Sequence, residues 1–303
     1  MAKPLGRLLT AMVTPFDAQD RVDLDTAAEL ARRLVAAGCD GVVVNGTTGE
    51  SPTLSAQECL AVLDAVRAAL PDHTVVMGTG TYSTAHSVEL TREAREHGAD
   101  AALVVTPYYN KPPQEGLIAH FEAIADVGLP VILYNIPSRC VINMPASTQL
   151  RLAEHPNIVG TKESAGDLDQ CTEIVSGAPA DFRVWSGDDS MTLPMLSTGA
   201  YGIVSVAAHV CAPAIRRMID AHVAGDVAQA AALHQELLPL FKALFTQPNP
   251  MCVKAALESL GVPVGAPRLP LLPLDQPRRA ALEALMQGMG DLVGLPQLAA
   301  APA

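Results

Sequence analysis

Lys162 is the residue best placed to do covalent chemistry. The sequence holds five lysines, at positions 3, 111, 162, 242 and 254. Lys162 alone closes a short β-branched run, Ile158-Val159-Gly160-Thr161, shortly before the small residues Ser164, Ala165 and Gly166. An amine at the carboxyl end of a strand, sheltered from water, can capture a carbonyl as a Schiff base. Spacing alone fits a surface lysine in a loop equally well. Attack requires the neutral amine, and a free lysine with pKa ~10.4 is neutral in roughly one molecule in a few thousand at pH 7. Desolvation favours the neutral form. A phenol and hydroxyls in the same pocket would then carry the protons of carbinolamine formation and dehydration.

Such groups stand at the ends of other β-branched runs. Tyr134 is an acid/base candidate, its alternative being a core tyrosine with a satisfied hydroxyl. Gly46, Thr47, Thr48 and Gly49 offer two hydroxyls and open backbone N–H groups, a nest for a carboxylate or an ordinary turn. Arg139 offers a fixed fork to a second carboxylate. Asp188 and Asp189 suggest a metal on paper. They lack histidine partners at ligand spacing and suit a helix N-terminus instead. His209 reads as structural or loop-lining.

The elements that must position these groups alternate. A helix, a Gly stop and a β-branched run recur at 37–44, 97–105 and 198–206, and Gly in such a stop takes the left-handed helix cap. Proline marks the same joint before 74–77, 131–134 and 158–159. Runs at 8–13 and 182–185 complete eight strand candidates. Helical patterns lie between them, near 24–37, 55–70, 84–97, 114–126, 146–154, 168–177, 189–198 and 212–223. Eight βα units predict a (β/α)8 TIM barrel over 1–225, whose chemistry belongs at the carboxyl ends of the strands. Three of the five tyrosines, 108, 109 and 134, fall there. Helices near 226–246, 250–261 and 276–289 predict a C-terminal helical extension over 226–290. The Leu-, Pro- and Ala-rich tail, 291–303, is expected to be partly disordered.

Composition excludes several classes. Hydrophobic residues make up 49% and charged residues 17%, so a large core is available and disorder is confined. A net charge of −12 argues against nucleic-acid binding. No apolar stretch runs long enough without charge, Gly or Pro to span a membrane, and no signal-peptide pattern opens the sequence. Six scattered cysteines without a Cys-x-x-Cys pair read as reduced, mostly buried thiols, and a cytoplasmic location is expected.

The segments GTTGES at 46–51, TPYYNKP at 106–112, YNIPSR at 134–139, Lys162-Glu163, SGDD at 186–189 and Asn249-Pro250 occur in an order that closely resembles the dihydrodipicolinate synthase family of class I pyruvate-dependent aldolases. The resemblance spans about residues 5–290. It implies that Lys162 forms an imine with pyruvate and that the derived enamine attacks L-aspartate 4-semialdehyde. It implies that Tyr134 is the general acid/base, with Thr47 relaying protons between Tyr134 and a Tyr109 supplied across a tight-dimer interface. Thr48 would bind the pyruvate carboxylate and Arg139 the semialdehyde carboxylate, with Gly187 and Val204 lining the pocket. A homotetramer is implied, with no metal or organic cofactor.

The chain departs from the family pattern in two places. Cys140-Val141 stands where many members have Thr-Gly, which puts the geometry of Arg139 in question. At the cleft where some members bind L-lysine as an inhibitor, Tyr82 and His86 replace an Asn and a Glu, beside Ser51, Pro52, Leu54, Ala56, Cys59 and Tyr108. Loss of that carboxylate implies weak or absent inhibition by lysine. Two other readings stay open on sequence alone. One is a sister pyruvate-lysine enzyme, such as N-acetylneuraminate lyase, a 2-keto-3-deoxy sugar acid aldolase or dehydratase, or a hydroxy-oxoglutarate aldolase. The other is a silent member that only binds a keto acid.

Overall fold

A computed structural model of the chain describes residues 4–297. Eight parallel strands close into a barrel: β1 (Leu8–Ala11), β2 (Gly41–Val44), β3 (Thr74–Gly78), β4 (Ala101–Val105), β5 (Val131–Asn135), β6 (Ile158–Glu163), β7 (Arg183–Ser186) and β8 (Gly202–Ser205). Strand β8 pairs back onto β1 with Val204 opposite Leu9. Almost every strand residue is buried, because a parallel barrel hides both faces of its sheet.

The helices between the strands are α1 (Leu24–Ala36), α2 (Ala56–Ala69), α3 (Thr84–Glu96), α4 (Gln114–Ala125), the single turn α5 (Pro137–Cys140), α6 (Ala146–Leu152), α7 (Leu168–Gly177), α8 (Thr192–Ser197) and α9 (Ala208–Val223). Their ends follow local chemistry. Ser55 and Glu58 form a reciprocal capping box at the start of α2. Gly38, Gly98 and Gly199 hold positive φ at the joints where the recurring stop was read. Helix α9 starts earlier than the sequence pattern indicates. Its first turn is set off by a kink at Cys211, two residues before Pro213, and the regular part begins near the expected 212.

The C-terminal extension consists of α10 (Val227–Ala243), α11 (Met251–Ser259) and α12 (Gln276–Gly288). Helix α10 packs along α9, and α11 contacts both α9 and α12. Residues 291–297, expected to be loose, lie on the barrel instead. The Gly294 N–H donates to the Val210 carbonyl at 2.7 Å, and Arg33 donates to the carbonyls of Leu295 and Pro296. Leu292, Val293 and Leu295 supply the apolar contact that holds them there. The rest of the expected tail, 298–303, lies outside the described residues. All six cysteines are free and buried. No helix among the described residues is long and apolar enough to cross a membrane.

His209 is structural. Its Nε2 accepts from the Val13 N–H at 3.1 Å and its Nδ1 lies 2.8 Å from the Val206 carbonyl, bracing the ends of β1 and β8. Burial pushes its pKa down to about 4. The unfolded imidazole takes a proton near pH ~6.5, so this contribution is full above that pH and is lost as pH falls through about 4. In urea unfolding, the stability advantage of the wild type over His209→Asn should shrink by on the order of 2–3 kcal/mol between about pH 7 and pH 4. An advantage that does not change with pH would contradict this role.

Candidate active site

Strands β5 and β6 set the centre of the site. Tyr134 and Lys162 are register partners, so their side chains leave the sheet on one face. Lys162 Nζ lies 4.2 Å from the centroid of the Tyr134 ring. Both residues are only 5% exposed. Among the described residues no carboxylate pairs with Lys162. Gly187, just after β7, lies against the lysine stem. A Cβ there would come within 2.8 Å of Lys162 Cε and also meet Ser164 Oγ. Only glycine leaves the amine its position.

A cavity of about 210 Å³ opens at this end of the barrel. Thr47, Tyr108, Tyr134, Arg139 and Cys140 line it, together with Gly78 and Gly80. Both glycines are sterically required, since a Cβ on Gly78 would run into the Asn45 backbone just after β2 and one on Gly80 into the backbone of Val105 in β4. The volume is well below the ~300–1,000 Å³ of sites for drug-sized ligands. It suits a three- or four-carbon acid better than a sugar acid.

The turn after β2 carries the two threonines. Its ends, Asn45 and Glu50, are non-glycine residues with φ of 55° and 58°. Left-handed backbone of this kind costs of order 1–3 kcal/mol per residue and needs outside support. Asn45 Nδ2 donates to the Cys59 carbonyl at 2.8 Å, and Thr14 Oγ1 donates to the Gly49 carbonyl at 2.6 Å. Thr47 faces the cavity. Thr48 is buried, and its Oγ1 accepts from Asn249 Nδ2 at 2.8 Å. With that lone pair engaged, the Thr48 hydroxyl proton is free to serve as a donor elsewhere.

Arg139 sits on the exposed turn α5 at the cavity rim, with no side-chain ion pair among the described residues. Cys140 behind it is buried, and burial pushes its thiol pKa up. Val141 ends the turn with φ of 70° and is 68% exposed. A β-branched residue in left-handed backbone is an outlier, and this is the position where the resembling family often has Gly. The loop beyond is anchored by amides. Asn135 Nδ2 donates to Asn143 Oδ1 at 2.7 Å, the Met144 N–H donates to Asn135 Oδ1 at 3.0 Å, and Asn143 Nδ2 donates to Gln170 Oε1 at 2.8 Å.

These amides converge on Glu163, the residue after Lys162 and on the opposite face of β6. Its carboxylate accepts from Asn135, Gln149, Gln170 and the Ala165 N–H. Burial raises its pKa, and the amide donors oppose that rise.

The remaining sequence candidates fall at different distances from the cavity. Val204 is fully buried in β8. Tyr109 is 92% exposed, with φ of 73°, and does not line its own chain's cavity. Asp188 caps the 3-10 turn Asp189–Met191 by accepting from the Ser190 N–H. Asp189 is buried and braces the turn after β8, accepting from the Ser205 hydroxyl and the N–H groups of Val206 and Ala207. Burial pushes its pKa up to about 6.

Sequence reasoning assigned no part to Glu50, Asn249 and Lys254. Lys254 Nζ lies 2.7 Å from Glu50 Oε1, each side chain 2% exposed. Burial lowers the Lys254 pKa, and the Glu50 carboxylate opposes that fall. A signal was available, because Lys254 interrupts the apolar run Cys252, Val253, Ala255, Ala256, Leu257, where a solvated lysine would be out of place.

The sequence matches the family model described as the dihydrodipicolinate synthetase family over residues 4–289. A relative from Moorella thermoacetica, 4-hydroxy-tetrahydrodipicolinate synthase, is 55% identical over 289 residues, which cover 95% of this chain and 99% of the relative. A crystal structure of the Cyanidioschyzon merolae dihydrodipicolinate synthase with lysine bound superposes with a TM-score of 0.93 at 44% identity, covering 94% of this chain and 98% of that one. A structure characterised as a monomeric dihydrodipicolinate synthase variant superposes with a TM-score of 0.92 at 36% identity, covering 94% and 97%.

The strained Val141 makes a direct prediction. Val141→Gly removes a left-handed β-branched residue whose exposed side chain contributes little burial. It should raise stability by up to about 1 kcal/mol, the excess of the left-handed penalty over glycine's added chain entropy. A thermal melt showing a lower Tm for the variant would contradict this.

Proposed function

We propose that this chain, which belongs to the dihydrodipicolinate synthetase family, condenses pyruvate with L-aspartate 4-semialdehyde to give 4-hydroxy-tetrahydrodipicolinate, a step of diaminopimelate and lysine biosynthesis. The observation that carries this reading is the buried Lys162 amine against Tyr134, which with Thr47 and Arg139 lines a small cavity.

Lys162 Nζ adds to C2 of pyruvate, and the carbinolamine loses water to form the imine. Tyr134 supplies and removes the protons, with Thr47 as its neighbour in the relay. Loss of a C3 proton gives the enamine, whose C3 forms the new carbon–carbon bond to the aldehyde carbon. The α-amine of the second substrate then displaces Lys162 from the imine carbon. This closes the ring and returns the free lysine. Thr48 holds the pyruvate carboxylate with its hydroxyl proton, and Arg139 at the rim holds the semialdehyde carboxylate. Gly187 keeps the space beside Lys162, and Val204 closes the apolar wall. The covalent carrier is the lysine itself, so the reaction as proposed uses neither a metal nor an organic cofactor.

Tyr109 enters through a second copy. Its exposed, left-handed position fits a side chain donated to a neighbouring subunit, and we place the enzyme in the cytoplasm as a homotetramer built from tight dimers. The monomeric relative makes the tetramer a point for direct measurement by sedimentation.

Borohydride reduction with pyruvate, followed by peptide mass spectrometry, should give one adduct on Lys162 and none on Lys111 or Lys254. Lys162→Ala should abolish condensation in a coupled assay with aspartate semialdehyde. Turnover of a 2-keto-3-deoxy sugar acid in place of the semialdehyde, or an adduct elsewhere, would reject the reading.

Lysine is the regulator to test, since a relative binds it. Here Tyr82 is 58% exposed and packs edge-on against Tyr108, while His86 Nδ1 lies 3.7 Å from Glu89 Oε2. Without a carboxylate at position 86 to meet the ligand's α-ammonium, L-lysine should inhibit weakly or not at all. A submillimolar inhibition constant at pH 8 would contradict this.

A further inference from the structure

The buried pair Glu50–Lys254 has no place in the proposed chemistry. Neither residue lines the cavity. Lys254 Nζ also lies 3.3 Å from the Ala266 carbonyl and 4.1 Å from the centre of the Phe16 ring. The second Glu50 oxygen accepts from the Arg268 N–H at 2.8 Å. The Arg268 guanidinium is held in turn by Glu58 and the Thr53 carbonyl. Stability alone does not explain such a pair, because well-packed apolar residues in place of a buried ion pair are often as stable or more so.

What the pair holds explains it better. Glu50 ends the turn that carries Thr47 and Thr48, and its own backbone is left-handed. Its N–H donates to the Thr47 carbonyl at 3.1 Å. The Glu50 side chain is thus one anchor of the turn, at the end opposite to Asn45, while Thr14 holds the Gly49 carbonyl between them. Lys254 fixes that side chain from the first turn of α11, shortly after Asn249, whose amide holds the Thr48 hydroxyl. A single segment of the C-terminal extension thus grips the turn at two points.

We infer that Glu50 and Lys254 are positioning residues for pyruvate: their ion pair couples α11 to the Thr47–Thr48 turn and sets the geometry in which the keto acid is bound and captured by Lys162. This rests on the function proposed above and goes beyond it, by giving the C-terminal extension a defined task at the first substrate.

The test uses the full-length chain with Glu50→Gln, Lys254→Met and the double variant. KM for pyruvate, KM for the semialdehyde, the rate of borohydride-trappable adduct formation and Tm are measured for each. Lys254→Met should raise the pyruvate KM by about tenfold or more and slow trapping in proportion, while the semialdehyde KM stays within about twofold. The double variant, with no unpaired buried charge, should regain Tm relative to Lys254→Met without regaining the pyruvate KM. Should Lys254→Met fail to fold, the isosteric Glu50→Gln and the double variant carry the test, with a pyruvate KM raised at least threefold. The inference is overturned if the pyruvate KM and trapping rate stay within twofold of wild type in the variants that fold, or if both substrates' KM values rise equally. A wild type that forms no pyruvate adduct rejects the function itself. A wild type that forms one beside unaffected variants rejects only the positioning role.

Discussion

An amine withheld from water at the mouth of a barrel imposes conditions on everything around it. Lys162 has the π face of Tyr134 for company and no carboxylate partner among the described residues. A carboxylate beside it would hold the ammonium and suppress the nucleophile. The barrel meets the condition by alternation along β6. Lys162 faces the cavity side, and the next residue, Glu163, faces the helices, where amides rather than cations satisfy it. Two adjacent charged residue types are kept apart by the pleat of the strand alone. Gly187 completes the arrangement from β7, because any larger residue would drive the lysine stem out of place.

The turn after β2 is under a different constraint. In the proposed reaction it presents hydroxyls and backbone donors to the keto acid, and its shape rests on two left-handed non-glycine residues. Strained backbone of this kind persists only where neighbours over-determine it. The neighbours come from distant parts of the chain: Thr14 after β1, Cys59 on α2, Asn249 just before α11 and Lys254 in its first turn. The extension therefore shapes the site without lining it.

Much of this architecture is written locally. The stops at Gly38, Gly98 and Gly199 need only a helix end and a residue that tolerates positive φ, so the βα joints could be read from a few residues at a time. Strand ends are equally local, which is why Lys162, Tyr134, Thr47 and Arg139 could be picked out; the last three line the cavity, and Lys162 lies against Tyr134. The features that were not legible depend on distance or on backbone angle. Asn249 and Thr48 meet although they lie 201 positions apart, and no periodicity announces such a contact. Val141 stood out only against the Thr-Gly of many family members, and its left-handed backbone was not legible until its φ was known. The 291–297 segment, of which Leu295 is buried, looked loose because a Leu- and Pro-rich end signals a tail unless an apolar surface is there to receive it.

Arg139 and Lys162 illustrate how precision differs across one site. Lys162 rides on a strand whose hydrogen bonds to β5 and β7 leave it little freedom. Arg139 rides on a four-residue turn that ends in strained backbone. The two positions are nevertheless linked, because Glu163 and Asn135 bind the amides that hold Asn143 and Met144, just beyond that turn. A buried carboxylate satisfied by three side-chain amides has no slack, since removing any one leaves a desolvated acceptor short of a donor. The outward face of β6 thus ties the exposed rim to the strand that bears the amine. The amine is thereby placed by a sheet, while the guanidinium at the rim is placed by a turn that the same sheet anchors.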